Sequence, residues 1–341
     1  MSEINLLVRK CIANLKPYTS ARDEFAGNAN VFLDANENPF GKLNRYPDPY
    51  QRELRAVLAN MNGCDAANIA VTNGSDEAID LLLRIFAEPG VDRVLTFAPT
   101  YGMYAVSAAI NNVQLEVIER TRECQIALSN AQEALQSPHL KMVFVCSPNN
   151  PNGSAVPERV LVELLEAFSG IVVVDEAYID FAPEHSAIKL LDRYPRLVIL
   201  RTLSKAWGLA GARIGYAIGH PDLVGWMDKV KPPYNVSAPN QEAALAALRN
   251  RDRFETHKQV ILTERMRLAE VLNSLPSVIK VYPSQANFLL VAFTDARAVY
   301  DGLAAKGVVV RDRSSQIANT LRISIGTPAE NNRLIDLLQS M

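Results

Sequence analysis

The chain has 341 residues, 48% hydrophobic and 21% charged, which suffices for one large domain and a smaller one, each with its own core. Its 35 basic and 37 acidic residues give a formal net charge of −2 without long single-sign blocks, so no polyanion-binding face is indicated and nucleic acid is not an expected partner. The opening MSEINLLVRKCIANL is broken by charges and no apolar run is long enough to span a bilayer, so no membrane association is expected and the cytoplasm is the expected compartment.

The first predicted helix of substance is PYQRELRAVLANM (49–61), with Leu54, Val57, Leu58 and Met61 on one face. From 68 to 219 short apolar runs alternate with helix-period segments, the pattern of successive βα units around a mostly parallel sheet. Strands are predicted at 68–72, 93–97, 141–146, 171–175, 197–201 and 213–219. Between them ERVLVELLEAF (158–168) places Val160, Leu161, Leu164, Leu165 and Phe168 on one helical face. The segment KVKPPYNVSAPN (229–240) carries three prolines and reads as a domain boundary. Beyond it a helical stretch (241–275), strands at 279–283, 287–293, 308–312 and 321–326, and a last helix (328–340) indicate a smaller α+β domain. The expected division is 1–40 as an N-terminal arm and part of the small domain, 41–230 as a large α/β domain, and 231–341 as the small domain.

In a parallel α/β sheet, ligand-binding residues collect beyond the carboxyl ends of the strands. After the first strand comes Asn73-Gly74-Ser75-Asp76-Glu77, a strand-to-helix turn whose free N–H groups suit a phosphate, although Ser75 or Asp76 can equally be a plain helix cap. Tyr101 follows the second strand in APTYGMY and reads either as a ring against a planar ligand or as a core tyrosine. SPNNPNG (147–153), with Asn150, is a rigid turn. Asp175 closes the apolar strand IVVVD, where a carboxylate is costly to bury without a cation or donor, and Tyr178 follows. LVILR runs into Thr202-Leu203-Ser204-Lys205, with Arg213 eight residues on: an amine nucleophile together with phosphate donors. Four dispersed cysteines without a CxxC pair, and four histidines without HxH or HExxH spacing, give no support for a metal site or a disulfide framework.

The order NGSDE, APTYGMY, SPNNPNG, VVVDEAYIDF and RTLSKAWGLAGARIGY resembles the fold-type-I pyridoxal-5′-phosphate (PLP) enzymes, the family that includes aspartate aminotransferase. That resemblance implies an α/β large domain with a mostly parallel central sheet sandwiched by helices, plus a smaller α+β domain. It implies PLP as cofactor, with Lys205 as the lysine that holds it as a Schiff base and Asp175 as the carboxylate that keeps the pyridine nitrogen protonated. By the same likeness Asn150 and Tyr178 match the donors to the ring's phenolic oxygen and Tyr101 the ring that stacks on the cofactor. Ser75, Asp76, Thr202, Ser204 and Arg213 match its phosphate site.

Within that group NLKPYTSAR (14–22), FLDANENPF (32–40), NRYPDP (44–49), SQANFLLV (284–291), VVVRD and LRISIGT resemble the histidinol-phosphate aminotransferase family. The activity implied is amino transfer between L-histidinol phosphate and 2-oxoglutarate in histidine biosynthesis. Tyr18, Asn36, Arg311 and Arg322 are then expected at the substrate end, and Tyr46 at the PLP phosphate of a partner subunit in a homodimer with shared active sites. Asn152 departs from the threonine of many relatives, with a local change of turn chemistry expected. Three other readings stand beside this one: a threonine-phosphate decarboxylase, a broad or aromatic amino-acid aminotransferase, and a PLP-binding regulator. The last requires a DNA-binding segment, for which the early start of the likeness leaves no expected place.

Overall fold

The computed structural model describes residues 3–19 and 29–341; residues 20–28, which include the end of the NLKPYTSAR segment, lie outside them. The strands of the larger sheet are β1 (Ile69–Asn73), β2 (Arg93–Ala98), β3 (Gln114–Glu119), β4 (Leu140–Cys146), β5 (Ile171–Asp175), β6 (Leu197–Thr202) and β7 (Ile214–Gly219). Those of the smaller are β8 (Val278–Val281), β9 (Phe288–Phe293), β10 (Arg311–Asp312) and β11 (Thr320–Ser324). The main helices are α1 (Glu3–Leu7), α2 (Arg52–Asn62), α3 (Ser75–Phe86), α4 (Met103–Ile110), α5 (Glu158–Ala167), α6 (Pro221–Val230), α7 (Ala238–Arg249), α8 (Arg251–Asn273), α9 (Ala296–Ala305) and α10 (Pro328–Gln339).

The seven-stranded sheet runs β1-β7-β6-β5-β4-β2-β3, parallel from β6 to β3, with β7 antiparallel to both of its neighbours. Its central strands are buried on both faces, which is why they read as continuous apolar runs. Val143, Val145, Val172 and Val174 face α2, α5 and α7, while Met142, Phe144, Ile171 and Val173 face α3 and α6. Each fully buried side chain of this kind contributes about 1.5–3 kcal/mol. Strand β3 falls outside the predicted set: QLEVIE is a half-exposed edge without a continuous apolar run.

The four-stranded sheet, ordered β10-β11-β9-β8, is antiparallel throughout. Leu289, Val291, Phe293, Leu321 and Ile323 pack one of its faces on α8, α9 and α10. The other face carries Phe288, which meets Tyr178 edge-on at 5.1 Å and joins Phe181, Ala206 and Ala286 in a cluster linking it to the larger sheet. Of the apolar run 308–312 only Arg311–Asp312 pairs as strand. The predicted helix 241–275 divides at Asn250, whose side chain accepts from the Arg253 N–H and caps α8.

Packing on the larger sheet extends beyond the proline-rich segment, since Ala244, Leu245 and Leu248 of α7 lie in its core. At the other end of the chain Ile4 and Val8 also pack there and not on the small sheet. We propose the two sheets as the cores of two domains, a division that limited proteolysis can test. Among the described residues no helix is long and apolar enough to cross a membrane.

Candidate active site

Because β1, β2, β4, β5 and β6 run in the same direction, Asn73, Ala98, Cys146, Asp175 and Thr202 end at one edge, and antiparallel β7 starts there behind Arg213. Between these ends lies a cavity of about 130 Å³. Ser75, Asp76, Tyr101, Asp175 and Tyr178 line it together with Thr202, Ser204, Lys205 and Arg213. Cys146, Ala177 and Ala210 complete the wall.

One end of the cavity is an anion cradle. Gly74, at φ +78°, turns the chain from β1 into α3 so that the helix N-terminus opens on the site. A Cβ at Gly215 would stand 2.2 Å from the Ser75 backbone nitrogen, so close approach requires glycine there, whereas Gly74 is favoured by its positive φ, a Cβ meeting only the movable end of Arg213. Arg213 reaches Asp76 at 3.4 Å and the Ser204 hydroxyl at 3.5 Å. The Tyr101 hydroxyl donates to the other oxygen of Asp76 at 2.9 Å, and the Thr202 hydroxyl lies 3.0 Å from that of Ser204.

At the opposite wall Asp175 is only 2% exposed. Burial pushes its carboxyl up to about 6, against two hydrogen bonds that hold it down. These come from the Tyr104 hydroxyl at 2.8 Å and the Ala177 N–H at 3.1 Å. Tyr104, fully buried and stacked on Phe144, is absent from the sequence-based set. Its signal was a second tyrosine three residues after Tyr101, at the start of a helical segment, which alone reads as core. Cys146, also missed, has its thiol pushed up to about 12, by burial first and then by Asp175.

Lys205 opens on the cavity with its ammonium 5.8 Å from the centre of the Tyr178 ring. Burial, and then the charge of Arg322, push the amine below its ordinary value. Asn150 lies 3.5 Å from the Tyr178 hydroxyl and accepts from Arg322 at 2.5 Å, joining the two sheets at the site. The SPNNPNG turn is pinned by Asn152, whose carbonyl accepts from Asn149, from the Ser154 N–H and from the Ser154 hydroxyl. Beneath it Glu176 is buried against Arg201 at 2.8 Å, with Ser186 and the Ala187 N–H also bonded to it.

Four of the expected residues stand apart from this cavity. Tyr18 is exposed in a separate cleft with Pro49, Tyr50 and Lys229, and Asn36 is exposed at φ +54°. Tyr46 stacks on Tyr234 at 4.5 Å, with its backbone N–H bonded to Glu37. Arg311 is exposed on β10, directly opposite Arg322 in register.

A lowered-pKa amine, a buried carboxylate and a cradle of Arg213, hydroxyls and a helix N-terminus around one cavity suit proton transfer on a bound anionic ligand. The family model "Aminotransferase class I and II" matches residues 23–338. A histidinol-phosphate aminotransferase of Parabacteroides distasonis is 47% identical over 100% of this chain and 99% of its own length. That of Cytophaga hutchinsonii is 46% identical over 99% of each. The crystal structure of the Sinorhizobium meliloti histidinol-phosphate aminotransferase in complex with pyridoxal-5′-phosphate is 28% identical, with a TM-score of 0.80 over 87% of this chain and 82% of that one. This chain belongs to the aminotransferase class I and II family, among the histidinol-phosphate aminotransferases.

Proposed function

We propose that this protein transfers the amino group of L-histidinol phosphate to 2-oxoglutarate, giving imidazole-acetol phosphate and L-glutamate. The observation that carries the reading is the placement of Lys205 and buried Asp175 on one cavity with Arg213, in a chain 47% identical end to end to a histidinol-phosphate aminotransferase.

The residues present fit pyridoxal 5′-phosphate. The turn at Gly74–Ser75, with Gly74 at positive φ ahead of the helix N-terminus, suits a phosphate together with Arg213, Ser204 and Thr202. Lys205 would hold the aldehyde carbon, Asp175 the pyridine nitrogen, Tyr178 and Asn150 the phenolic oxygen, and Tyr101 one face of the ring. When bound, the cofactor supplies a sink for the electrons left by the substrate's Cα–H bond. The protein's part is to orient and to move protons. Lys205, with its amine kept below the usual range, is suited to take the Cα proton and return it. Asp175 would supply a fixed negative charge to the ring nitrogen, while Asn150 holds Arg322 at the opening.

The active unit in this reading is a homodimer in which Tyr46, away from its own chain's cavity, reaches the cofactor phosphate of the partner. Mixing inactive Lys205→Ala with an inactive Tyr46→Phe variant tests this: restored activity supports shared sites, and a monomer in ultracentrifugation ends the proposal. The cytoplasm is the proposed compartment. An assay with L-histidinol phosphate and 2-oxoglutarate decides the reaction. Formation of glutamate is expected, whereas release of CO2 without glutamate would assign a decarboxylase.

A further inference from the structure

Resting on that reading, we infer that Arg313, the second arginine of the Arg311-Asp312-Arg313 run, is a specificity residue that grips the phosphate of the amine substrate and contributes little to the dicarboxylate.

The register places it. Arg311 pairs with Arg322 and Asp312 with Leu321, and the Arg313 N–H continues the ladder to the Thr320 carbonyl at 2.9 Å. Leu321 points into the small core, so the alternation along β10 and β11 sends Arg311, Arg313 and Arg322 to the opposite face. On that face the Arg322 guanidinium lies over the Phe288 ring at 5.4 Å and bonds Asn150, beside Tyr178.

Three guanidiniums thus share one face. Among the described residues, none of them forms an ion pair, and the side chain of Arg313 makes no hydrogen bond. The Nε atoms of Arg313 and Arg322 are both buried without an acceptor. Arg313 is held below its ordinary value by burial and then by the charges of Arg322 and Arg311, and its own charge reaches the Tyr178 phenol. Two partly buried cations, Arg313 and Arg322, in each other's field call for an anion from outside the chain.

The two substrates differ in what they ask of such a cluster. A distal carboxylate is planar, carries one charge and is satisfied by a single guanidinium fork. A phosphate monoester is tetrahedral, carries nearly two charges and keeps an oxygen outside the plane of that fork. Arg322 serves the first, and Arg313 adds the contact that only the second can use.

The test is Arg313→Gln, with Arg313→Lys beside it, in the cofactor-loaded enzyme. The kcat/KM of each half-reaction is measured separately, for L-histidinol phosphate and for L-glutamate. Loss of one charge-assisted contact is expected to lower the value for histidinol phosphate by roughly 10-fold or more, with glutamate changed by less than about threefold and Lys restoring part of the loss. Binding of inorganic phosphate, followed by calorimetry, is expected to weaken in parallel. Equal losses on both substrates, or no loss on either, would overturn the inference. Failure of the wild-type enzyme to use histidinol phosphate at all would instead overturn the proposed reaction, which the same measurements report separately.

Discussion

The two ends of the site are built on opposite principles. On the larger sheet each acidic group already has its partner: Asp76 with Arg213 and Tyr101, Glu176 with Arg201, Asp175 with Tyr104. On the smaller sheet Arg311, Arg313 and Arg322 share the face on which Arg322 meets Asn150, without an ion-pair partner among the described residues. The first end therefore holds its shape before anything binds, whereas the second holds charge whose partner arrives as ligand. Substitutions at the first should alter stability, cofactor binding or the chemical step, and those at the second should alter substrate affinity.

The largest effect expected on the preorganised end is that of Lys205→Ala, since among the described residues no other lysine lines the cavity. Activity should fall by at least the roughly 10²–10⁴-fold of lost proton transfer. Borohydride reduction followed by peptide mapping should label Lys205 in the wild type; a label on Lys141 or Lys229 would refute the assignment. Next comes Arg201→Met, which leaves the Glu176 carboxylate buried without its cation. Breaking such a pair costs about 3–5 kcal/mol, and denaturant titration should show it. An unchanged midpoint would mean that Ser186 and the Ala187 N–H satisfy Glu176 by themselves.

Asp175→Asn should lose about 3–4 kcal/mol of transition-state stabilisation. Its effect on the cofactor-free fold should have the opposite sign. In the folded chain the carboxyl is raised from 3.8 to about 6, so below pH 3.8 both states are protonated and nothing is lost. As pH rises from there to about 6, the unfolded chain ionises first and stability falls, by on the order of 3 kcal/mol. Asparagine cannot ionise, so the variant should match the wild type near pH 4 and exceed it at pH 7.5. Denaturation at the two pH values checks this, and a wild type more stable at pH 7.5 would contradict it.

The same contrast explains what could be read without a structure. Strands β4, β5 and β6 were legible because burial on both faces makes them uninterrupted apolar runs. Edge strand β3 was not, and the apolar 308–310 segment looked like strand although it stays unpaired. Strand-end polar residues such as Asp175 and Lys205 stood out because a parallel sheet gathers them at one edge. Tyr104 stayed hidden because its reach to Asp175 depends on how α4 lies over β4, and Arg313 because only register shows which face it takes. Tyr18, Asn36 and Tyr46 rested on family likeness alone, and within one chain they lie away from the cavity.

The smallest of these effects, Tyr104→Phe, bears most directly on how the preorganised end works. The substitution keeps the ring that stacks on Phe144 and removes only the hydroxyl that donates to Asp175. A hydrogen bond to a charged group contributes about 1.5–3 kcal/mol, so cofactor affinity and turnover should drop by roughly 10- to 150-fold. The direction with pH separates tuning from packing. Burial raises the Asp175 carboxyl and the Tyr104 bond lowers it, so without the hydroxyl it should titrate above its present value of about 6. Cofactor binding that draws on the ionised carboxylate strengthens as pH rises through that value, and in Tyr104→Phe the rise should move to higher pH, with part of the affinity recovered in alkaline buffer. Fluorescence titration of the cofactor-free protein across pH 5–9 reads this directly. A loss of equal size at every pH would show that Tyr104 acts through packing alone, and that Asp175 is held by the Ala177 N–H and its surroundings without it.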